Sequence, residues 1–149
     1  FAHFANSYDR LVDGAHAPTA SAWGYDNRTV AIRIPGGPNG ARRIEHRTAG
    51  GDINPYLLLS AVLGAAMIGI KDELEPSEPI VGNAYDVDDL PRLAPDWTSA
   101  TEMFASDPMI ARIFDPMLIG NLLRCKRQEI EKFEQMPAST HWRALLERV

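Results

Sequence analysis

Cysteine is almost missing from this sequence: Cys125 stands alone among 149 residues, so no internal disulfide can form. It lies in an amphipathic helical pattern rather than in a Cys/His cluster, and a reducing cytoplasm is the expected setting. Positive charge is also short, with 15 Lys and Arg against 20 Asp and Glu and a net charge of −5. Affinity for a phosphate backbone rests on the opposite imbalance, which argues against a nucleic-acid binder and makes each arginine a local feature. The longest apolar run, residues 56–70, falls short of the about 20 residues a membrane helix needs and is broken by Ser60, Gly64 and Gly69. It reads as a buried core helix rather than a membrane span. The sequence opens Phe1-Ala2-His3-Phe4 with neither a methionine nor a basic leader, a start that reads as a cut. Walker loops, dinucleotide fingerprints, His-Glu-x-x-His and Gly-x-Ser-x-Gly are all lacking, so the chemistry has to be sought elsewhere.

What is present suits one domain of ordinary size or a large piece of a bigger one, with 45% apolar residues for a core. Punctuation divides it into residues 1–51, strands and loops, and residues 52–149, mainly helical. In Thr29-Val30-Ala31-Ile32-Arg33-Ile34, Val30, Ile32 and Ile34 share one face of a strand. Pro35-Gly36-Gly37-Pro38-Asn39-Gly40 then makes a loop of about six residues to a second strand at 42–48, which predicts an antiparallel hairpin. Asn54-Pro55, Asp107-Pro108 and Asp115-Pro116 each read as a helix start, with an N-cap before a proline at the first helical position. Ile119, Leu122, Leu123, Ile130 and Phe133 fall at helical spacing with Arg124, Arg127, Glu131 and Glu134 on the remaining faces. Ser139 or Thr140 caps a last short helix through Trp142, Leu145 and Leu146. The Pro- and Asp-rich residues 73–97 read as an exposed loop. The expected class is α+β, a portion of antiparallel sheet followed by helices.

The charge pattern of the second strand is the sharpest feature. Period two puts Arg43, Glu45 and Arg47 on one face of Arg43-Ile44-Glu45-His46-Arg47, with Ile44 and His46 on the other. Arg33 can share the face of the trio across the hairpin. A lone carboxylate between guanidinium groups is costly to bury unless something bound there needs all the charges, which points to an anionic ligand with a metal ion. Arg10 and Arg28 bring the candidate arginines of this half to five, a side chain suited to bidentate contact with carboxylate and phosphate. Any one of them alone would read as a surface ion pair; their number and company carry the argument. Arg42 reads as a surface charge, and His3, His46 and His141 read as structural.

The ordered motifs Asn6-Ser7-Tyr8-Asp9-Arg10-Leu11-Val12, Gly14-Ala15-His16-Ala17-Pro18, Asn27-Arg28, Ile32-Arg33-Ile34-Pro35, Arg43-Ile44-Glu45-His46-Arg47 and Asn54-Pro55-Tyr56-Leu57 resemble the C-terminal part of the catalytic domain of the glutamine synthetase family. The likeness is dense over residues 6–57 and is followed to Leu74, about half the chain. It implies a cytoplasmic ligase of nitrogen metabolism in which ATP phosphorylates the side-chain carboxylate of glutamate and an amine or ammonia displaces phosphate. By position in the motifs, Arg10 and Arg47 would hold the glutamate carboxylates. Arg28, Arg33 and Arg43 would face the ATP phosphates, with Arg33 also at the phosphoryl group in transfer. Glu45 would ligate Mg²⁺ or Mn²⁺, whose preference is for oxygen donors.

His16 departs from the family pattern. Ammonia-using members usually carry Glu before Ala-Pro, on a flap where it takes a proton from ammonium and closes the site. Histidine there, together with Trp23-Gly24-Tyr25-Asp26-Asn27-Arg28, resembles the γ-glutamylpolyamine synthetase branch and implies an amine or polyamine acceptor ahead of ammonia. Tyr85, in Asn83-Ala84-Tyr85-Asp86, resembles the loop that carries an adenylylated tyrosine in some bacterial glutamine synthetases, and it is read here as a plain loop residue. The family's other metal-binding glutamates and small N-terminal β-domain precede this segment, and its active sites form between neighbouring subunits of a ring. A segment alone is therefore expected to be inactive, within a ring-shaped homo-oligomeric parent. The competing reading is a non-catalytic folded module, against which the three charges on one strand face argue.

Overall fold

A three-stranded sheet holds the charged strand face, with β1 (Trp23–Tyr25), β2 (Ile32–Ile34) and β3 (Glu45–His46) in that spatial order. The computed structural model describes residues 2–146. Phe1 and residues 147–149, at the outer limits of the two sequence-based halves, lie outside the described residues. β2 and β3 pair antiparallel with Ile32 opposite His46 and Arg33 opposite Glu45, as the hairpin reading expects. The strands are shorter than that reading and their connection, residues 35–44, is longer. A 3₁₀ turn at Asn39–Ala41 ends the predicted loop, and Arg42 to Ile44, the start of the second predicted strand, do not pair.

β1 adds to β2 in parallel, Trp23 opposite Ile32, so the sheet is mixed rather than wholly antiparallel. Its outer edge is covered by the segment that reads as an exposed loop. That segment has no helix or strand beyond a 3₁₀ turn at Ala84–Asp86 and is largely solvent-facing, but it is pinned along its length. Ile80 N–H donates to Trp23 O (2.8 Å), Trp23 Nε1 donates to Ser77 O (2.7 Å), and Leu93 N–H donates to Thr19 O (2.9 Å). Gly24 permits the approach, because a Cβ there would stand 2.6 Å from Ile80 O.

The helices are α1 (Pro55–Lys71), α2 (Trp97–Ser106), α3 (Ile110–Ile113), α4 (Pro116–Glu134) and α5 (His141–Leu145). Asn54 caps α1 by accepting from Tyr56 N–H and Leu57 N–H, and Asp115 caps α4 by accepting from Met117 N–H. Asp107-Pro108 starts no long helix: Asp107 ends α2, accepts from Met109 N–H (2.8 Å), and is followed by the single turn of α3. α2 is the helix that the start signals did not announce, and its cap is Asp96, which accepts from Ser99 N–H (2.7 Å). Thr140 precedes α5 as expected, but its hydroxyl donates to Pro137 O (2.7 Å) instead of capping.

The main core joins the two ends of the chain. Phe4, just before a 3₁₀ turn at Ala5–Arg10, and Tyr8, within it, pack with Trp97 of α2, Phe133 of α4 and Leu145 of α5. Trp97 and Phe133 meet edge to face at 5.6 Å, and Lys126 Nζ sits 5.2 Å from the Trp97 ring and 5.7 Å from that of Phe4. Burial and a hydrogen bond to Ala2 O fit this setting for Tyr8, whose phenol is pushed up to about 12, chiefly by desolvation. α4 follows its pattern, with Ile119, Leu122, Leu123 and Ile130 half-buried, Phe133 buried, and Arg124, Arg127, Glu131 and Glu134 exposed.

The run at 56–70 is helical, as expected, but it is not wholly core. Ile68 is its buried residue, whereas Tyr56 is 80%, Leu63 61% and Ile70 73% exposed on one stripe of α1. The opposite face packs on α3 through Gly64, where a Cβ would stand 2.7 Å from Ile113 Cγ2. Arg112 of α3 clamps Asp72, at the C-terminal end of α1, with two bonds of 2.6 and 2.8 Å. Among the described residues no helix is long and apolar enough to cross a membrane.

Gly64→Ala is expected to destabilise the fold by about 1–2 kcal/mol in urea unfolding, because the steric cost exceeds the gain in helix propensity. Adding Ile113→Ala should recover most of the Gly64→Ala loss relative to Ile113→Ala alone. Additive costs in the double-mutant cycle would show that the two side chains do not share this contact.

Candidate functional site

Register places the site. Because Arg33 and Glu45 are directly opposite in β2 and β3, their side chains leave the same face of the sheet, and Arg33 Nη1 donates to Glu45 Oε2 at 2.9 Å. Arg43 Nη2 donates to Glu45 Oε1 at 3.1 Å from the loop just before β3. Arg47, just after β3, brings its Nη1 to 3.8 Å from Glu45 Oε2. The sequence-predicted trio and Arg33 are therefore one cluster. Arg33 and Arg47 are the enclosed members, with side chains 17% and 21% exposed, while Arg43 is open at 58%. The bond from Arg33, with Arg43 behind it, holds the Glu45 carboxyl below the usual carboxylate range despite partial desolvation.

Arg47 is also where the remaining candidates meet. Its Nη2 donates to His16 O (2.8 Å) and to Arg28 O (3.1 Å), and its own carbonyl accepts from Arg10 Nη1 (3.3 Å). Arg10 Nη2 further donates to Thr48 O (2.5 Å). The Arg47 guanidinium thus holds the loop of His16 and the loop of Arg28, while the Arg47 backbone receives the Arg10 side chain from the end of its turn. These three join through backbone carbonyls, and the side chains of His16 and Arg28 stay exposed. Both line a cleft of about 590 Å³ with Tyr25, Asp26 and residues 79–82.

A second cavity, about 390 Å³, lies between α1, α2 and α4 and is lined mostly by apolar side chains such as Leu57, Phe104 and Leu123. None of the arginines of the cluster reaches it, and Glu45 and His16 are absent from its walls. The sequence-predicted charges gather at the strand face instead.

Asp26 is a functional neighbour that sequence reasoning passed over. Its Oδ1 accepts from Arg33 Nη2 (3.2 Å) and from Gly36 N–H (2.9 Å), and its backbone sits at φ +48°. The signal was available in Trp23-Gly24-Tyr25-Asp26-Asn27-Arg28, where one carboxylate stands two residues before an arginine. Tyr85, read as a plain loop residue, is half-buried and donates its hydroxyl to Ala17 O (2.8 Å). Arg42 is exposed and bonds Asn39, in keeping with its reading as a surface charge. Burial lowers the pKa of His46 on the opposite face, and that of His3, which keeps both neutral near pH 7 and fits structural roles. His141 Nε2 lies 3.1 Å from both Phe133 O and Met136 O, where it ties α4 to α5.

The donor set decides what could bind. The Nε groups of Arg33 and Arg47 are buried and find no hydrogen-bond acceptor among the described residues, so the cluster holds more donors than this segment can satisfy. Anionic oxygens brought from outside fit that surplus. For a metal ion, no group of three or more His, Cys, Asp or Glu that could enclose it exists among the described residues. Glu45 fits as one oxygen ligand of an ion whose remaining positions are filled by phosphate oxygens, water or carboxylates from elsewhere, the habit of Mg²⁺.

Glu45→Gln is expected to lower the denaturation midpoint near neutral pH, since three guanidinium groups then share a face with only Asp26, at Arg33, as a counter-charge. A carboxylate whose folded pKa is depressed contributes stability above its unfolded pKa and loses it as pH falls through the folded one. The gap between parent and variant should therefore close only in acid below the usual carboxylate range. Midpoints measured from neutral pH into acid test this, and a gap that stays constant would remove the charge cluster as its cause.

The glutamine synthetase catalytic-domain family model matches residues 1–145. Over 142 residues the chain is 36% identical to a gamma-glutamylethanolamide synthetase of Streptomyces coelicolor, a match that covers 95% of this chain and 30% of that protein. It is 38% identical over 140 residues to a type-1 glutamine synthetase of Dictyostelium discoideum, covering 89% of this chain and 26% of the relative. The solved structure of a GmaS/ADP complex superposes with a TM-score of 0.77 at 26% identity, over 98% of this chain and 35% of that one. The chain thus spans about a third or less of each protein it matches. An arginine-bracketed carboxylate on a mixed sheet, the ordered motifs around it, and a family match from end to end of the described residues make this chain part of the catalytic domain of the glutamine synthetase family.

Proposed function

We propose that this chain belongs to an ATP-dependent ligase that joins glutamate to an amine through γ-glutamyl phosphate. The observation that carries the proposal is the joining of Arg33, Arg43, Glu45 and Arg47 in one cluster, with Arg10, Arg28 and His16 drawn to it through Arg47. Support for the acceptor comes from His16 at the flap position and from the likeness to a gamma-glutamylethanolamide synthetase.

The roles follow from charge and place. Arg33, Arg43 and Arg28 neutralise phosphate oxygens, and Arg33 stabilises the phosphoryl group as it passes from ATP to the γ-carboxylate oxygen of glutamate, with ADP leaving. Such transfer needs positioning and charge neutralisation more than covalent help. Arg10 and Arg47 hold the carboxylates of glutamate, Arg10 through the second N–H of each terminal nitrogen and Arg47 through Nη1, since both N–H groups of its Nη2 already reach backbone carbonyls. Glu45 would contribute one oxygen to Mg²⁺ or Mn²⁺, and the ion when bound would supply positive charge to offset that of the nucleotide phosphates. For Glu45 to do this, Arg33 and Arg43 turn from its oxygens toward phosphate, an exchange between anionic partners that leaves no guanidinium unpaired. The amine nitrogen then attacks the γ-carbonyl carbon, the bond to the phosphate oxygen breaks, and the amine proton departs to a base at the flap. His16 is that flap residue, and an imidazole attracts a small ammonium ion less than a carboxylate does. The parent is a ring-shaped homo-oligomer in this reading, and the apolar stripe of α1 is a surface for its remaining parts.

The complete polypeptide carrying this segment should release phosphate from ATP only with glutamate, a divalent ion and an acceptor. Putrescine, spermidine or ethanolamine is expected to outrun ammonium in kcat/KM, and ammonium faster than every amine would assign true glutamine synthesis instead. In the same assay His16→Glu should raise kcat/KM for ammonium relative to the amine; an unchanged acceptor profile would remove His16 from acceptor choice. Glu45→Ala is expected to weaken metal-dependent nucleotide binding about tenfold or more. Unchanged affinity and metal requirement in titration calorimetry would take Glu45 out of the metal site.

A further inference from the structure

We infer that Tyr85 is a positioning residue that latches the His16 loop, so that γ-glutamyl phosphate meets an amine rather than water. This rests on the ligase reading above. Tyr85 lies far along the chain from that loop, yet its hydroxyl donates to Ala17 O at 2.8 Å across a sequence separation of 68 residues. The adjacent carbonyl, His16 O, accepts from Arg47 Nη2 at 2.8 Å. Two successive carbonyls are therefore gripped from opposite directions, one by the charged strand and one by the loop covering β1.

The backbone between them requires such a grip. His16 lies at φ +52°, a left-handed conformation that costs a β-carbon residue energy and persists only where surroundings impose it. Gly14 at φ +85° makes the preceding bend. Ala17 is 3% exposed and Pro18 is fully buried, so the stem of the loop is anchored while the His16 side chain faces the cleft and solvent.

The latch is itself mounted on a braced turn. Asn83 Oδ1 accepts from Tyr85 N–H (3.2 Å), and Asn83 Nδ2 donates to Asp86 Oδ2 (2.9 Å). Ala84 N–H donates to Thr29 Oγ1 (2.9 Å), whose hydroxyl donates to Asn27 Oδ1 (2.7 Å). Asn27 Nδ2 in turn donates to Gly82 O (2.8 Å). Arg28 sits between Asn27 and Thr29, so the frame that aims the phosphate-side arginine also carries the tyrosine that holds His16. Losing the hydroxyl would free the loop without disturbing the strand face. Water would then compete for the acyl phosphate, attacking the same carbonyl carbon, releasing the same phosphate and regenerating glutamate.

Tyr85→Phe tests this in the complete polypeptide, because it keeps the ring and removes only the donor. Phosphate released per amide formed is expected to rise from near one to well above it, with the amine KM up about fivefold, the scale of one hydrogen bond, and the KM values for ATP and glutamate unchanged. Thr29→Val, which loosens the braced turn, should shift the same ratio in the same direction. A uniform fall in kcat with coupling and amine KM unaltered would mean that Tyr85 only supports the fold, and would overturn the proposal. Hydrogen exchange at residues 14–18 separates this from the ligase reading. Should the parent show no glutamate- and amine-dependent turnover, the ligase reading fails, while faster exchange there in Tyr85→Phe would still support the latch and unchanged exchange would refute it.

Discussion

A single carboxylate keeps the site together. Arg33, Arg43 and Arg47 converge on Glu45 from the two sides of a hairpin and its flanking loop, and without it only Asp26, at Arg33, would oppose their charge. The ion pairs are shared rather than exclusive, each oxygen of Glu45 serving at least one guanidinium, with Asp26 relieving Arg33 from the other side. The cluster retains a surplus of positive charge and a surplus of donors. That imbalance is a poor arrangement for stability alone and a suitable one for receiving anions. The strand register Arg33 opposite Glu45 is therefore a functional constraint, since a slip of one residue would turn the arginine to the apolar face.

The outline of this site was legible in the sequence because alternation in a strand is unambiguous when the charges are few. Arg43, Glu45 and Arg47 on one face, Arg33 across from them, and the caps Asn54 and Asp115 all required only local rules. Other features obey no local rule. β1 is three residues long and is held by partners from 77 and 80, so it has no alternation to display. α2 contains Thr98, Ser99 and Thr101 in its first turns, which blur the periodicity, and its cap Asp96 lies inside a stretch that otherwise reads as loop. The grip of Tyr85 on Ala17 links residues that no pattern relates. The apolar run of α1 was read as core because hydrophobicity reports a need for cover and not where the cover lies. Its exposed stripe shows that the need is not met within this segment.

The strand face and the His16 loop have different physical characters. Ion pairs and paired strands make the first rigid, which suits the demanding geometry of phosphoryl transfer. The second is a short loop in a left-handed conformation, secured by two hydrogen bonds to its backbone and with its imidazole open to the cleft. Under the proposed ligase reading, acceptor choice can therefore change by substitution at that side chain while the strand face stays as it is. A family that transfers glutamate to ammonia in some members and to larger amines in others has reason to separate the two in this way.

The turn at Ala5–Arg10 gives the aromatic core a second significance. Phe4 and Tyr8 are bolted into the cluster of Trp97, Phe133 and Leu145, and two residues after Tyr8 the same turn delivers Arg10 to the carbonyls of Arg47 and Thr48. The turn behaves as a rocker whose pivot is apolar and whose working end is a guanidinium. Loosening between α2 and α4 would reach the site as wandering of Arg10. Under the proposed ligase roles, heat or denaturant would erode grip on the amino acid before it touched Arg33 and Arg43, so that affinity for one substrate becomes a gauge of helix packing.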